Sequence, residues 1–339
     1  MNNVDNLVSQ AAAGFRSKWQ IPNFDRYDAV FNSLGYPMET IYKKLGIDTV
    51  EFSEIQSGIF AEDFLNIFKE IIYLTNDSCV GVKLGTMRPV KKIGTRFYIA
   101  FFSKTLRSAL NDFLFYSSLE IPFLKIKMEE GKSETKILFE YDIDNPSISF
   151  EFDVDLIAIV NLIRELLLRP EWAPKSASSR YQLASGRSDA LAALVHCPLD
   201  KNAGRNSIIF SSDILDAELK FSDPVAKSIM IGAFYSRLNS MYADYSYVSR
   251  TNFFLARYFD CKREIPKLSY VASSFNMSIS AYQRELIKEG VSFRKIKSDL
   301  LFKLAKCLLA DGLNYVDASK MLGYATSHSL IRFLDSYNE

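Results

Sequence analysis

From about Asp223 to Glu339 the strand-like texture of the upstream chain gives way to helical spacing, and this change constrains the fold more than any single motif. AKSIMIGAFYSRLNSMYADYSYVSRTNFFLARYF, residues 226–259, reads as helix with one break, and the rest reads as helix and short turn. Upstream the texture is mixed. AEDFLNIFKEIIYLT places Phe64, Ile67, Phe68, Ile71 and Ile72 on one helical stripe. SKTLRSALNDFLFYSS does the same, with Ser103 as the expected N-cap and Leu106, Leu110, Phe113 and Leu114 facing inward. FLKIKMEEGKSETKILFEYDI then alternates: Leu124, Ile126 and Met128, the break EEGKSE, and Ile137, Phe139 and Tyr141, a hairpin signature. FDVDLIAIVNLIRELLL predicts a helix ending before Pro170, and LAALVHC and NSIIFS read as strand-like pieces. The expectation is an α+β N-terminal domain over 1–240 and an all-α domain over 246–339, with the boundary near 240–247. No repeat of solenoid length and no low-complexity linker interrupts it.

At 339 residues, two domains are the natural expectation, and 48% hydrophobic with 24% charged residues is the composition of a soluble globular protein. No apolar run reaches the roughly 18 residues of a membrane span. MNNVDNLVSQAAAGFRSKWQ lacks the basic and apolar regions of a secretory signal, so the expected location is cytoplasmic. Cys79, Cys197, Cys261 and Cys307 are far apart with no CxxC, as expected of reduced thiols there. The net charge of +1 hides an asymmetry: residues 251–339 carry 13 Lys+Arg against 9 Asp+Glu, the remainder 28 against 31. The basic end is the one suited to a nucleic acid.

Catalytic chemistry finds no anchor. His196 and His328 are the two histidines, and no Cys/His spacing suggests a metal. His196 and Cys197 are neighbours, but adjacent residues of a strand point to opposite faces. GxSxG, GxGxxG and GxxxxGK[ST] are missing, so the reading is no enzyme, no cofactor and no metal. FYIAFF, residues 97–102, is either ordinary core or one wall of an apolar pocket. In the second case Phe97 and Phe101 belong to the wall, and Arg96 or Arg107 holds an effector carboxylate.

KLSYVASSFNMSISAYQRELIKEG, residues 267–290, carries the functional argument. Leu268, Val271 and Ala272 form the inner face of a short helix, SFNM is a tight connection, and Ser278 caps a second helix. Tyr282 and Leu286 pack inward there, while Ser280, Gln283, Arg284 and Ile287 share the outer face, and Gly290 ends it. Two short helices with a tight turn describe a helix-turn-helix. Arg pairs bidentately with guanine and Gln with adenine, so the exposed pair suits a major groove; a solvated surface is the competing reading of these residues taken alone.

The context adds to this. VSFRKIKSDLLFKLAKCLLADG is a long amphipathic helix, followed by a second short pair, YVDASKMLGY and TSHSLIRFLDSYNE. That order resembles the DNA-binding domain of AraC-type (AraC/XylS) transcription regulators over residues 246–339, most specifically in VASSFNMS, YQRELIKEGVSF, LAKCLLAD and LGY. The resemblance implies base contacts from Ser280, Gln283 and Arg284 in the first unit and from Ser327, His328 and Arg332 in the second. YLTNDSCVGVKLGT, SKTLRSALNDFLFY and HCPLDKNAGRNSIIFSSDILDAELKFSDP resemble the arabinose-binding-like effector domain of one branch of that family, a label that assigns no sugar here.

The second unit departs from the family pattern. Where members show an Ile-Ala pair and a Ser-x-Phe-x-Arg-Ala-Phe run, this chain has Ala318-Ser319 and HSLIRFL, and it reaches Glu339 where a Gly-x-x-Pro tail is expected. Arg332 matches, and Leu330 replaces the buried aromatic. The first unit is therefore expected to read sequence and the second to bind loosely or to position the protein on the backbone. The implied function is a sequence-specific regulator, an activator by family habit, with double-stranded DNA, a small effector and RNA polymerase as partners, a homodimer, and no membrane. The alternative is a family-fold interaction protein that has lost operator recognition and modulates another regulator.

Overall fold

The computed structural model describes residues 3–16, 20–22, 24–47, 58–87 and 94–338. In chain order the elements are α1 (Asn3–Arg16), β1 (Gln20–Pro22), α2 (Phe24–Ser33), α3 (Met38–Leu45), β2 (Gly58–Phe60), α4 (Ala61–Thr75), α5 (Val80–Met87), α6 (Thr95–Phe101) and α7 (Leu106–Glu120). Then come β3 (Leu124–Glu130), β4 (Glu134–Tyr141), α8 (Ile148–Leu167), β5 (Ser176–Ser179), α9 (Ser185–Val195), β6 (Leu199–Lys201) and β7 (Asn206–Ser211). Helices alone follow: α10 (Pro224–Met241), α11 (Tyr247–Lys262), α12 (Leu268–Ser274), α13 (Ile279–Lys288), α14 (Phe293–Ala310), α15 (Tyr315–Met321) and α16 (Ser327–Asn338). The fold is a mixed α/β region with a five-stranded sheet followed by a helical region holding two helix-turn-helix pairs and a long helix between them.

Two compact units divide the chain. One comprises Arg16–Ser117 and Phe123–Ile231, the other Met1–Phe15, Ser118–Pro122 and Gly232–Glu339. In the first, the sheet runs β3-β4-β7-β5-β6, with only β5 and β6 parallel among its paired strands. The β3–β4 register sets Leu124 opposite Tyr141, Ile126 opposite Phe139 and Met128 opposite Ile137, so the period-two alternation brings like faces together. The α4 stripe is buried at Phe64, Ile67, Phe68 and Ile71. Phe68 meets Phe64 and Phe31 edge-on, with centroids 5.0 and 6.0 Å apart.

Two glycines four apart bring α5 against α8. A Cβ at Gly81 would lie 2.5 Å from the Phe150 carbonyl oxygen, and one at Gly85 2.8 Å from the end of Ile157. Nearby, Arg187 donates to Asp153 at 2.8 Å and to the Ser149 carbonyl at 2.5 Å, and stacks 4.0 Å above Phe150. Burial pushes the Asp153 carboxyl up to about 6, with Arg187 opposing the shift.

Three local expectations are corrected. LAALVHC is the end of helix α9, not a strand: the residues before it extend the run, and Leu191 and Val195, four apart, are both buried. His196 is therefore the left-handed cap of a helix (φ 55°), and the argument from strand geometry does not apply to His196 and Cys197. Ser103 does not cap α7; its hydroxyl donates to the Ile99 carbonyl at 3.1 Å. Thr105 takes that place because Ser108, three residues on, reciprocates: its N–H donates to the Thr105 hydroxyl and the Thr105 N–H to its own.

In the helical unit α1 buries Val4, Val8 and Ala12 on one stripe, and its first residue, Asn3, donates from backbone and side chain to Asp311 at 2.8–3.1 Å. Residues 118–122 are clasped by α10 and α11. The Tyr242 hydroxyl donates to the Leu119 carbonyl at 3.0 Å, Arg257 donates to the Pro122 carbonyl, and Arg237 pairs with Glu120.

Candidate nucleic-acid interface

The recognition helix candidate, α13, is fixed at both ends and along its inner face. At its start the Ser278 hydroxyl accepts from the Ala281 N–H at 3.2 Å. At its end Gly290 takes a left-handed φ of 79°, and the Val291 N–H reaches back to the Leu286 carbonyl at 3.1 Å. Between them Tyr282 and Leu286 are fully buried. The Tyr282 hydroxyl bonds Thr251 on α11, and its ring lies 5.0 Å from Phe275 and 6.4 Å from Phe293. Burial pushes that phenol up to about 12, so it remains a neutral partner for the threonine.

The opposite face is exposed at Ser280, Gln283, Arg284 and Ile287. Neither glutamate of this segment is left to repel a phosphate freely. Glu285 pairs with Lys288 at 2.8 Å. Glu289 turns to the start of α11, where its carboxylate accepts from the Tyr247 and Val248 N–H groups at 2.7 and 2.8 Å. An anion at a helix N-terminus satisfies donors the helix leaves open and meets the positive end of its dipole. Arg250 braces the same corner: its guanidinium stacks 4.9 Å from Phe275 and donates to Asn239 at 2.5 Å, while Asn239 donates to the Ser274 carbonyl at 3.0 Å.

Sequence reasoning placed the inner and outer faces of α13 but missed Glu289, Arg250 and Asn239. Their partners lie 11 to 42 residues away, so no local spacing announces them. Leu268, expected on the inner face of α12, is only half-buried, whereas Val271 and Ala272 are buried.

In the second pair, Asn314 caps α15 by accepting from the Asp317 N–H at 2.9 Å, and the Thr326 hydroxyl accepts from the Ser329 N–H at 3.2 Å before α16. Ala318, Ser319, Leu330 and Leu334 are buried. His328 and Arg332, four apart, are exposed together, while Ser327 is half-buried. Tyr337 stacks on Phe302 of α14 at 4.5 Å and takes a hydrogen bond from Lys295 at 3.0 Å.

The four effector-site candidates separate. Arg96 lines a small cavity with Phe113, Ser117, Leu124, Asp155 and Ile159, its guanidinium 5.5 Å from the Phe113 ring. Phe97 is core, stacked on Phe101 at 5.6 Å, and Phe101 in turn stacks on Phe221 at 4.8 Å. Arg107 is engaged by Glu130 and by Asp216, the latter at 3.0 Å. Among the described residues no three His, Cys, Asp or Glu side chains gather as a metal set, and no helix is long and apolar enough to cross a membrane. The four cysteines are free thiols, and burial pushes those of Cys197 and Cys261 up to about 11.

Comparison with known proteins adds two findings. The model of the arabinose-binding domain of AraC transcription regulators, N-terminal, matches residues 35–219. Among solved structures, the transcriptional regulator CdpR from Pseudomonas aeruginosa is similar over 89% of this chain and 93% of its own, at 15% identity and a TM-score of 0.45. No curated protein matches the chain.

Proposed function

This chain belongs to the family of AraC transcription regulators that carry the arabinose-binding N-terminal domain, and from that premise we propose that it reads DNA sequence through α13 under control of its N-terminal domain. The observation that carries the proposal is the outer face of α13: Gln283 and Arg284 stand side by side in solvent on a helix pinned through Tyr282, Leu286 and Glu289. Arg284 is assigned to a guanine and Gln283 to an adenine in the major groove, each well-made contact contributing about 1–3 kcal/mol of discrimination. Ser280 flanks them. In the second pair His328 and Arg332, with Ser327 beside them, are assigned mainly to phosphates, which supply affinity and register but little sequence information. The two pairs are separated by α14, whose 18 residues rise about 27 Å.

DNA reading is thereby given to residues 246–339 and regulation to 1–240. The effector is proposed to act on the N-terminal domain; the cavity beside Arg96 admits no more than a water-sized group, and Phe97, Phe101 and Arg107 are held to be structural. Within the helical unit, residues 118–122 are held by α10 and α11, and α11 holds α13 through Thr251. The proposal contains no catalytic step and places the protein in the compartment that holds DNA.

The test is binding to duplexes enriched by the full chain from a random pool. Arg284→Ala should weaken binding to the enriched site about 10- to 100-fold while changing binding to random duplex little. Equal loss on both would remove the base-reading role, and no DNA affinity even at low salt would favour an interaction protein built on the family fold.

A further inference from the structure

Ile287 is 66% exposed, on a helix whose inward positions are already filled by Tyr282 and Leu286. A branched apolar side chain left in water adds little to folding, and isoleucine is a poorer helix former than alanine or lysine. Its place on the helix is specific. Ile287 stands three residues beyond Arg284, four beyond Gln283 and seven beyond Ser280, on one outward line. Ile279, the other exposed isoleucine of α13, is its first residue and lies off that line.

Building on the reading that α13 enters a major groove, we infer that Ile287 reads the 5-methyl group of a thymine. That methyl is the apolar feature which distinguishes one base from the others in the major groove, and an aliphatic side chain is its complement. The helix geometry restricts where the thymine lies. Ile287 is about 4.5 Å further along the axis than Arg284 and about 6 Å further than Gln283. Base pairs stack at about 3.4 Å, so the thymine sits within about two base pairs of the position that Arg284 reads.

The experiment uses the full chain and the site it enriches from random duplex DNA. The position lost in Arg284→Ala is mapped first. Each thymine within two base pairs of it is then replaced by uracil, which keeps pairing and shape but lacks the methyl. Wild type should bind one uracil duplex about fourfold more weakly, the loss expected for one buried methyl. Ile287→Ser should bind the thymine and uracil duplexes alike while keeping wild-type affinity for random DNA, which shows that it is folded. The inference is overturned if no thymine lies in that window, if uracil is tolerated at each one, or if Ile287→Ser keeps the preference. A variant that keeps the preference but changes its sedimentation mass would assign the side chain to a protein contact instead. Failure to enrich any sequence would bring down the base-reading proposal and this inference with it; enrichment without methyl sensitivity would bring down this inference alone.

Discussion

In the first helix-turn-helix pair the Tyr282 ring is fully buried and its hydroxyl meets Thr251; in the second, the Tyr337 ring lies half-buried on Phe302 and takes its bond from Lys295. The same contrast runs through the surroundings. The first pair is tied into its neighbours by Glu289 at the start of α11 and by the Arg250–Asn239 brace. The second is capped well at Asn314 and Thr326, and its core is Ala318, Leu330 and Leu334, yet its long aromatic contact runs along the surface of α14. A base contact tolerates little error in angle or distance, whereas a phosphate accepts a cation over a broad range of positions. The proposal accordingly assigns reading to the tightly tied pair and positioning to the other.

The contrast can be broken most directly at the two tyrosines. Tyr282→Ala should cost about 4 kcal/mol of stability in denaturant unfolding, because a fully buried ring and a buried hydroxyl partner are both lost. Tyr337→Ala should cost only about 1–2 kcal/mol, since part of its surface already meets water. Equal costs would mean that the second pair is as firmly built as the first.

A smaller effect tests the cap. Glu289→Gln removes the charge from the α11 N-terminus and should cost about 1 kcal/mol, whereas Glu285→Gln, whose partner Lys288 is exposed, should cost less than about 0.5. Indistinguishable unfolding curves for the two variants would remove Glu289 from the brace. The smallest expected effect is at Arg332. Arg332→Ala should weaken enriched and random DNA alike and lower the slope of log affinity against log salt by about 0.9. Selective loss on the enriched site would give the second pair a share of the reading.

Much of α13 is legible in sequence because its information is local. Ser278, the inward pair Tyr282 and Leu286, the outer face and Gly290 all follow from a helix of known period and from end residues whose chemistry is fixed. The hairpin is equally legible, since alternation sets which residues face each other across β3 and β4. Short segments are another matter. The polar run Ser176–Ser179 becomes a strand only because β7 and β6 lie on either side of it, and three-residue strands such as β1 and β2 have no period to read. LAALVHC satisfies either period over so few residues, and packing decides for helix.

Sequence by itself determined the longer helices, the β3–β4 hairpin, the change from mixed to helical texture, and which face of α13 is polar. These depend on interactions between residues three or four apart, or on the alternation of a strand. Tertiary structure alone decided that residues 118–122 join the helical unit and that Glu289 closes the N-terminus of α11. Both link groups far apart in the chain, and such a link exists only after packing has restored the proximity that chain length removed.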